Sequence, residues 1–225
     1  KADDDTVIPM DLINSAIDRD VTLAASEPIL WGLDVARFGG DNSALCIRQG
    51  NTVLEITTFN SMDLMQLCGA IKNRYDDSTV MERPQEILVD VIGLGSGVVD
   101  RLAEQNLPVR GVNVAEAPST KKNYLNLRAE LWFAIKDWLA QRDCRLPNND
   151  ELASELAAPQ YKYTSSGKIK IESKDEMRKR GIKSPDKADA LALTMASSAA
   201  SFGGSQAFMG YNFKKPLKSR IFRVG

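Results

Sequence analysis

Three places in this chain put carboxylates where apolar side chains are expected. Asp34 lies within Ile29-Leu30-Trp31-Gly32-Leu33-Asp34-Val35-Ala36, and Asp90 within Ile87-Leu88-Val89-Asp90-Val91-Ile92. Asp186 and Asp189 open an Ala/Leu-rich run, Ser184-Pro185-Asp186-Lys187-Ala188-Asp189-Ala190-Leu191-Ala192-Leu193. An ionised carboxylate without a partner in an apolar strand is costly, or it is driven to its neutral form. Brought together, such acids are tolerated around divalent cations. The chemistry they point to, if the chain is a catalyst, is carboxylate and hard-metal chemistry with oxygen ligands to magnesium or manganese.

The chain holds no histidine. This removes the commonest general base, the Ser-His-Asp and Cys-His arrangements, and most catalytic zinc sites. Cys46, Cys68 and Cys144 are far apart and form no Cys-x-x-Cys pair. Neither a disulfide framework nor a zinc knuckle is expected, and the three read as buried thiols of a cytosolic protein. At 225 residues and 43% hydrophobic content the chain can bury one sizeable core. No apolar run approaches the ~20 residues of a membrane span. The chain opens at Lys1 without a signal-peptide pattern, which suggests a piece of something longer. Its net charge of -1 hides an asymmetry: residues 1–159 carry 15 basic against 25 acidic side chains, and residues 160–225 carry 14 against 5. A basic face for a polyanion is the functional reading of that imbalance; a solvated surface is the ordinary one.

The elements that must position the acids follow from periodicity. After an acidic stretch over residues 1–28, with a short helical signal at Met10–Ile17, come three β-rich runs: Ile29–Ala36, Ser43–Arg48 and Thr52–Phe59. Gly39-Gly40-Asp41-Asn42 and Gln49-Gly50-Asn51 separate them as hairpin turns. A helix fits Met62–Tyr75, a continuous apolar strand Glu86–Ile92, a helix Ser96–Gln105 and a strand Val109–Ala115. Tyr124–Gln141 carries an apolar helical stripe of Leu127, Leu131, Ile135, Trp138 and Leu139. Gln160–Glu172 alternates around Ser165-Ser166-Gly167-Lys168 as a lysine-bearing hairpin. A last helix starts with Ser184 as cap and Pro185 in its first turn. Three antiparallel strands, then parallel strands alternating with helices, is the order of a ribonuclease H-like α/β fold, a mixed sheet flanked by helices. In that fold one acid lies mid-way along the first strand, one at the end of the fourth strand, and one on a late helix. Asp34, Asp90 and the Asp186/Asp189 pair fall at those places. The expected organisation is a lead-in or linker over 1–28, the ribonuclease H-like unit over 29–200, and a basic tail over 201–225.

Four segments taken together resemble the nuclease domain of the large terminase subunit of tailed bacteriophages, nearest to headful-packaging, short-tailed phages. They are Trp31–Asp41, Val89–Gly97, Asn126-Leu127-Arg128-Ala129-Glu130-Leu131-Trp132, and Ser184–Leu191. The resemblance spans roughly residues 3–200. It implies a metal-dependent endonuclease that cuts concatemeric double-stranded DNA during packaging into the procapsid. It also implies Asp34, Asp90 and Asp189 as metal ligands, with Asp189 preferred because it directly precedes Ala190-Leu191. The implied partners are the packaging ATPase domain of the same polypeptide, a small terminase subunit and the portal protein. The implied place is the host cytoplasm, transiently at the portal vertex. No Gly-x-x-x-x-Gly-Lys-Ser/Thr loop occurs in the sequence, so this piece is not expected to hydrolyse ATP.

Phosphodiester hydrolysis needs an activated water and a stabilised leaving oxygen, which two cations ~3.5–4 Å apart provide. Asp34 is the expected bridge between two Mg2+ or Mn2+ ions, with Asp90 and Asp189 completing their shells. Asp186 is explained as well by the helix macrodipole. Asp41, Glu130 and Lys183 are further candidates near the site, although turn chemistry, surface exposure and solvation respectively explain them. Lys121, Lys122, Arg128, Lys162, Lys168, Lys170, Arg178, Lys179 and Arg180 could form a phosphate groove that positions DNA without reading its sequence. A dinucleotide fingerprint at Gly93-Leu94-Gly95-Ser96-Gly97 fails because position 98 is Val. A transposase-like or junction-resolving nuclease of the same fold is one alternative. The other is a non-catalytic docking module that joins the motor to the portal.

Overall fold

The computed structural model describes residues 5–23, 26–36, 42–119 and 122–197. Asp41, Lys121, most of the first expected turn and the 201–225 tail lie outside the described residues. In chain order the elements are α1 (Met10–Ala16), β1 (Ile29–Asp34), β2 (Ser43–Gln49), β3 (Thr52–Phe59), α2 (Leu64–Asp77), β4 (Glu86–Asp90), α3 (Gly95–Glu104) and β5 (Val109–Val112). They continue with α4 (Leu127–Ala140), α5 (Asp150–Ala157), β6 (Tyr161–Tyr163), β7 (Ile169–Ile171), α6 (Lys174–Lys179) and α7 (Asp186–Thr194). The main sheet runs β3-β2-β1-β4-β5, and β6 and β7 form a separate hairpin. β1 pairs antiparallel with β2 and parallel with β4, and β4 pairs parallel with β5. This is the mixed ribonuclease H-like sheet that the element order predicts.

Every residue of β1 and β2 is buried, as expected for strands covered on both faces. Successive side chains alternate between the faces. Trp31, Leu33, Leu45, Ile47, Ile87 and Val89 pack with Leu67 and Ile71 of α2 and Val98 and Leu102 of α3. Leu30, Ala44, Cys46, Leu88 and Val112 face the other way, onto α1, α4, α5 and α7. The expected lead-in is not set apart from this core. Val7, Ile8, Ile13 and Ala16 are fully buried within it, and Val7 N–H donates to the Pro159 carbonyl at 3.1 Å.

The strands that carry the acids are shorter than the apolar runs predict. β1 ends at Asp34 rather than Ala36, and β4 ends at Asp90 rather than Ile92. Asp34 therefore stands at the end of its strand, not mid-way along it. The Asp90 carboxylate accepts the Ile92 amide at 3.1 Å. Such a local side-chain bond competes with the sheet ladder and turns the chain outward. The chain then passes through Gly93 at φ 75°. The last helix also differs. It begins at Asp186, Pro185 occupies the cap position, and no side chain caps it from within. Its free amides are met from α5 instead, where the Glu155 carboxylate accepts the Ala188 N–H at 3.0 Å. At the other end of α7, the buried Arg48 of β2 donates to the Thr194 carbonyl at 2.9 Å and to its hydroxyl at 2.8 Å. An acid at the N-terminus and a cation at the C-terminus both oppose the helix dipole, so α7 is held at each end by a group from another element.

Candidate metal centre

Parallel pairing of β1 with β4 sets Leu33 opposite Val89, which brings the next residues, Asp34 and Asp90, to neighbouring strand ends. Both continue the face of Leu30 and Leu88, the face covered by α7. An α/β sheet characteristically binds its ligands beyond the carboxyl ends of parallel strands. The close seat of α7 depends on Gly32: a Cβ there would lie 2.0 Å from the Ala190 carbonyl oxygen, so no other residue permits this contact without moving the helix. With α7 against β1, the first-turn residues Asp186 and Asp189 come to rest beside Asp34, buried at 7% and 8% exposure.

A lysine outside the expected set occupies the middle of these acids. Ser173 and Glu176 form a reciprocal capping box that starts α6 at Lys174. The Lys174 ammonium lies 2.9 Å from Asp34 Oδ2, 3.3 Å from Asp186 Oδ1 and 3.4 Å from Asp189 Oδ2. Among the described residues no three acids close around a point as a metal cage would; the shared position holds an ammonium. Three carboxylates gathered on one cation nevertheless form a donor set that fits a divalent ion with oxygen ligands. Ser173-Lys174-Asp175-Glu176 matches the capping-box signature, and that signal could have revealed α6 and set Lys174 at its start.

Asp189 is held from behind by α4. Its Oδ1 accepts from Arg128 Nε at 3.2 Å, Arg128 Nη2 at 3.0 Å and Trp132 Nε1 at 2.8 Å. Arg128 also donates to the Glu172 carbonyl at 2.8 Å. The Asn126 side chain caps α4 by accepting the Ala129 amide, which fixes where Arg128 and Trp132 fall on the helix. This accounts for the Asn126–Trp132 segment: it orients the third acid.

The environments push these carboxyls apart. Burial raises Asp34 to about 7, against the pull of Lys174 and with added repulsion from Asp189 and Asp186. Burial also raises Asp90, opposed by the Ile92 amide and reinforced by Asp189. Burial alone would raise Asp189, but Arg128, Lys174 and the Trp132 N–H hold it below the usual carboxylate range. Burial works against the charge of Lys174, yet Asp34, Asp189 and Asp186 together raise its pKa. Such opposed shifts in a cleft mark a candidate functional site.

Asp34, Asp90 and Asp189 line one cavity of about 300 Å³, together with Arg128, Lys174, Lys170 and Arg178. Asp186 is not in its wall; the Ser184 hydroxyl donates to its Oδ1. Glu130 is not exposed as expected but buried at 1%. It accepts the amide and hydroxyl of Ser119 at 2.6 and 2.9 Å, which ties down the segment before α4. Lys183 is exposed at the approach to α7. Of the expected phosphate groove, Arg128 faces inward onto Asp189. Lys162 and Lys170 both pair with Glu176, Arg178 with Asp175 and Arg180 with Glu172. Lys122 and Lys179 are exposed, and Lys168 is half-buried on the β6–β7 hairpin.

No family model and no curated protein matches this sequence. Solved structures do. The nuclease domain of the large terminase subunit gp2 of bacterial virus Sf6 is 21% identical, with a TM-score of 0.71 over 84% of this chain and 97% of that one. The large terminase nuclease of thermophilic phage G20c, solved with bound magnesium, is 14% identical, with a TM-score of 0.62 over 87% of this chain and 99% of that one. The large terminase nuclease domain of Thermus phage P74-26 is 12% identical, with a TM-score of 0.60 over 83% and 93%. At these identities the likeness establishes the fold: this chain has the ribonuclease H-like fold of terminase nuclease domains.

Proposed function

We propose that this chain is a divalent-metal-dependent endonuclease that cuts double-stranded DNA during viral genome packaging. The observation that carries the reading is the convergence of Asp34, Asp186 and Asp189 on one cation position, with Asp90 in the same cavity. Asp34, Asp90 and Asp189 would hold the metal, with Asp34 as the shared ligand. Divalent ions held there would supply an activated water and offset charge on the leaving oxygen. Arg128 and Trp132 keep Asp189 ionised and oriented. Lys174, released from the acids, is placed to neutralise charge on the scissile phosphate. Lys170 and Arg178 in the cavity wall, with Lys122, Lys168 and Lys179 beyond it, give the DNA backbone contacts of positive sign without base readout.

The partners follow from the same reading. They are a packaging ATPase domain on the same polypeptide, a small terminase subunit, and the portal as the docking point of the basic tail, all met in the host cytoplasm. The test is nicking of supercoiled plasmid by the purified chain with magnesium, manganese or chelator. Cleavage is expected only with metal and is expected to vanish in Asp34→Asn. Metal-dependent cleavage undiminished in that variant would overturn the assignment. Absence of cleavage together with retained portal binding would favour the docking module.

A further inference from the structure

We propose that Arg128 and Trp132 restrict Asp189 to one-oxygen coordination and so bias the centre against calcium and toward cations of magnesium size. The inference rests on reading these acids as a metal centre. A carboxylate oxygen offers two lone pairs, and Asp189 Oδ1 already meets three donors, Arg128 Nε, Arg128 Nη2 and Trp132 Nε1, at 3.2, 3.0 and 2.8 Å. Oδ2 meets only the Lys174 ammonium and the outer reach of Arg128 Nη2, each at 3.4 Å. A cation that replaces the ammonium therefore gains one oxygen from Asp189, not two.

The clamp does not yield easily. Trp132 is fully buried, so an indole N–H turned away from Oδ1 would be left without a partner, at a cost typical of a buried unsatisfied donor. The Arg128 guanidinium is fixed by the Glu172 carbonyl at 2.8 Å and lies 5.6 Å over the Trp132 ring. Asp90 is held more lightly, with one oxygen accepting the Ile92 amide at 3.1 Å. Calcium takes about six to eight oxygens, often as two-oxygen carboxylate ligands, whereas magnesium takes about six and keeps several waters. An Asp189 limited to a single oxygen withholds from calcium a ligand that would help complete its larger shell, whereas magnesium needs only one oxygen from it. Arg128 and Trp132 touch neither cation nor substrate; they are positioning residues for Asp189.

The test is calorimetric titration of the full 225-residue chain with magnesium chloride and with calcium chloride, in the wild type, Trp132→Phe and Arg128→Lys. Trp132→Phe keeps an aromatic ring and the local charge and removes the donor along with the second ring of the indole, a packing loss that the melting temperature reads separately. Arg128→Lys keeps the charge and removes the fork. Both are expected to shift the ratio of the two dissociation constants toward calcium by about tenfold, with folding verified by circular dichroism. Infrared spectra of the calcium-loaded variants are expected to show the narrowed carboxylate stretch splitting of two-oxygen chelation, which the wild type lacks. Loss of packing alone would lower the melting temperature and leave the ratio unchanged. An unchanged ratio in either folded variant would overturn the clamp while leaving the metal centre standing. A wild-type chain that binds neither cation would overturn both, so the two failures are distinguishable.

Discussion

An ammonium 2.9 Å from Asp34 and 3.3 and 3.4 Å from Asp186 and Asp189 competes for the oxygens that an incoming cation needs. Lys174→Met removes that competitor and leaves the acids repelling one another. Its expected effect is a rise of about tenfold or more in magnesium affinity by calorimetry; unchanged affinity would mean that the lysine leaves the acids at no cost. The two acids of α7 separate by the same logic. Asp189 lines the cavity with its Oδ2 turned to the Lys174 ammonium, whereas Asp186 stands outside the wall and accepts the Ser184 hydroxyl. Asp189→Ala is expected to lower plasmid cleavage by about a hundredfold and Asp186→Ala by much less, in single-turnover nicking assays; reversed ranks would make Asp186 the third ligand. The acids were legible in the sequence because a carboxylate in an apolar run is an anomaly that asks for a partner. Lys174 was not, since one lysine in a charged segment looks like any solvated lysine until the fold carries it inward. Arg128 was misread for the same reason: its positive charge suggested phosphate, and only the packing of α4 on α7 shows that its partner is Asp189.

α7 depends on groups from two other elements, Glu155 of α5 at its start and Arg48 of β2 at its end. Glu155→Ala leaves the first-turn amides of α7 without their acceptor. The expected loss is about 1–2 kcal/mol, or about 2–8 °C in melting temperature, with Glu155→Gln close to wild type because the amide oxygen still accepts. Equal losses in the two variants would show that packing, not capping, is what Glu155 supplies. The long elements were legible. Strands β1 to β5 and helices α2, α3 and α4 fall where period and turn residues placed them, displaced by up to three residues at their ends. α5 and α6, of eight and six residues, were not. Helices that short carry little periodicity, and only the caps at Asn149 and Ser173 mark them. The start of α7 was misplaced because Pro185 suits a first turn, and the cap that serves it comes from α5, about 30 residues away in sequence.

At the scale of the whole molecule the buried acids couple folding to pH and to metal. Asp34 and Glu155 are raised to about 7 by burial, and Asp90 is raised by the same cause. A group whose pKa is raised in the fold contributes stability that is present below its unfolded pKa and lost as pH rises through the folded value. Without divalent ions the stability, and with it the melting temperature, is therefore expected to fall as pH rises between about 4 and 7. The lowered pKa of Asp189 acts in the opposite sense, but below that window. Magnesium favours the ionised acids, so its stabilising effect is expected to grow across the same range. Calorimetric melts from pH 4 to 8 with magnesium or chelator check this, and superimposable curves would contradict it. The contact of Gly32 with the Ala190 carbonyl bears on how such a protein decays. A methyl group at position 32, whose carbon would lie 2.0 Å from that oxygen, wedges α7 off the sheet and draws Asp189 away from Asp34. Gly32→Ala is expected to keep every acid, retain the fold by circular dichroism and lose magnesium binding by calorimetry. A descendant with that change would keep all its ligands on paper and be a pseudoenzyme in fact, disabled by a hydrogen exchanged for a methyl.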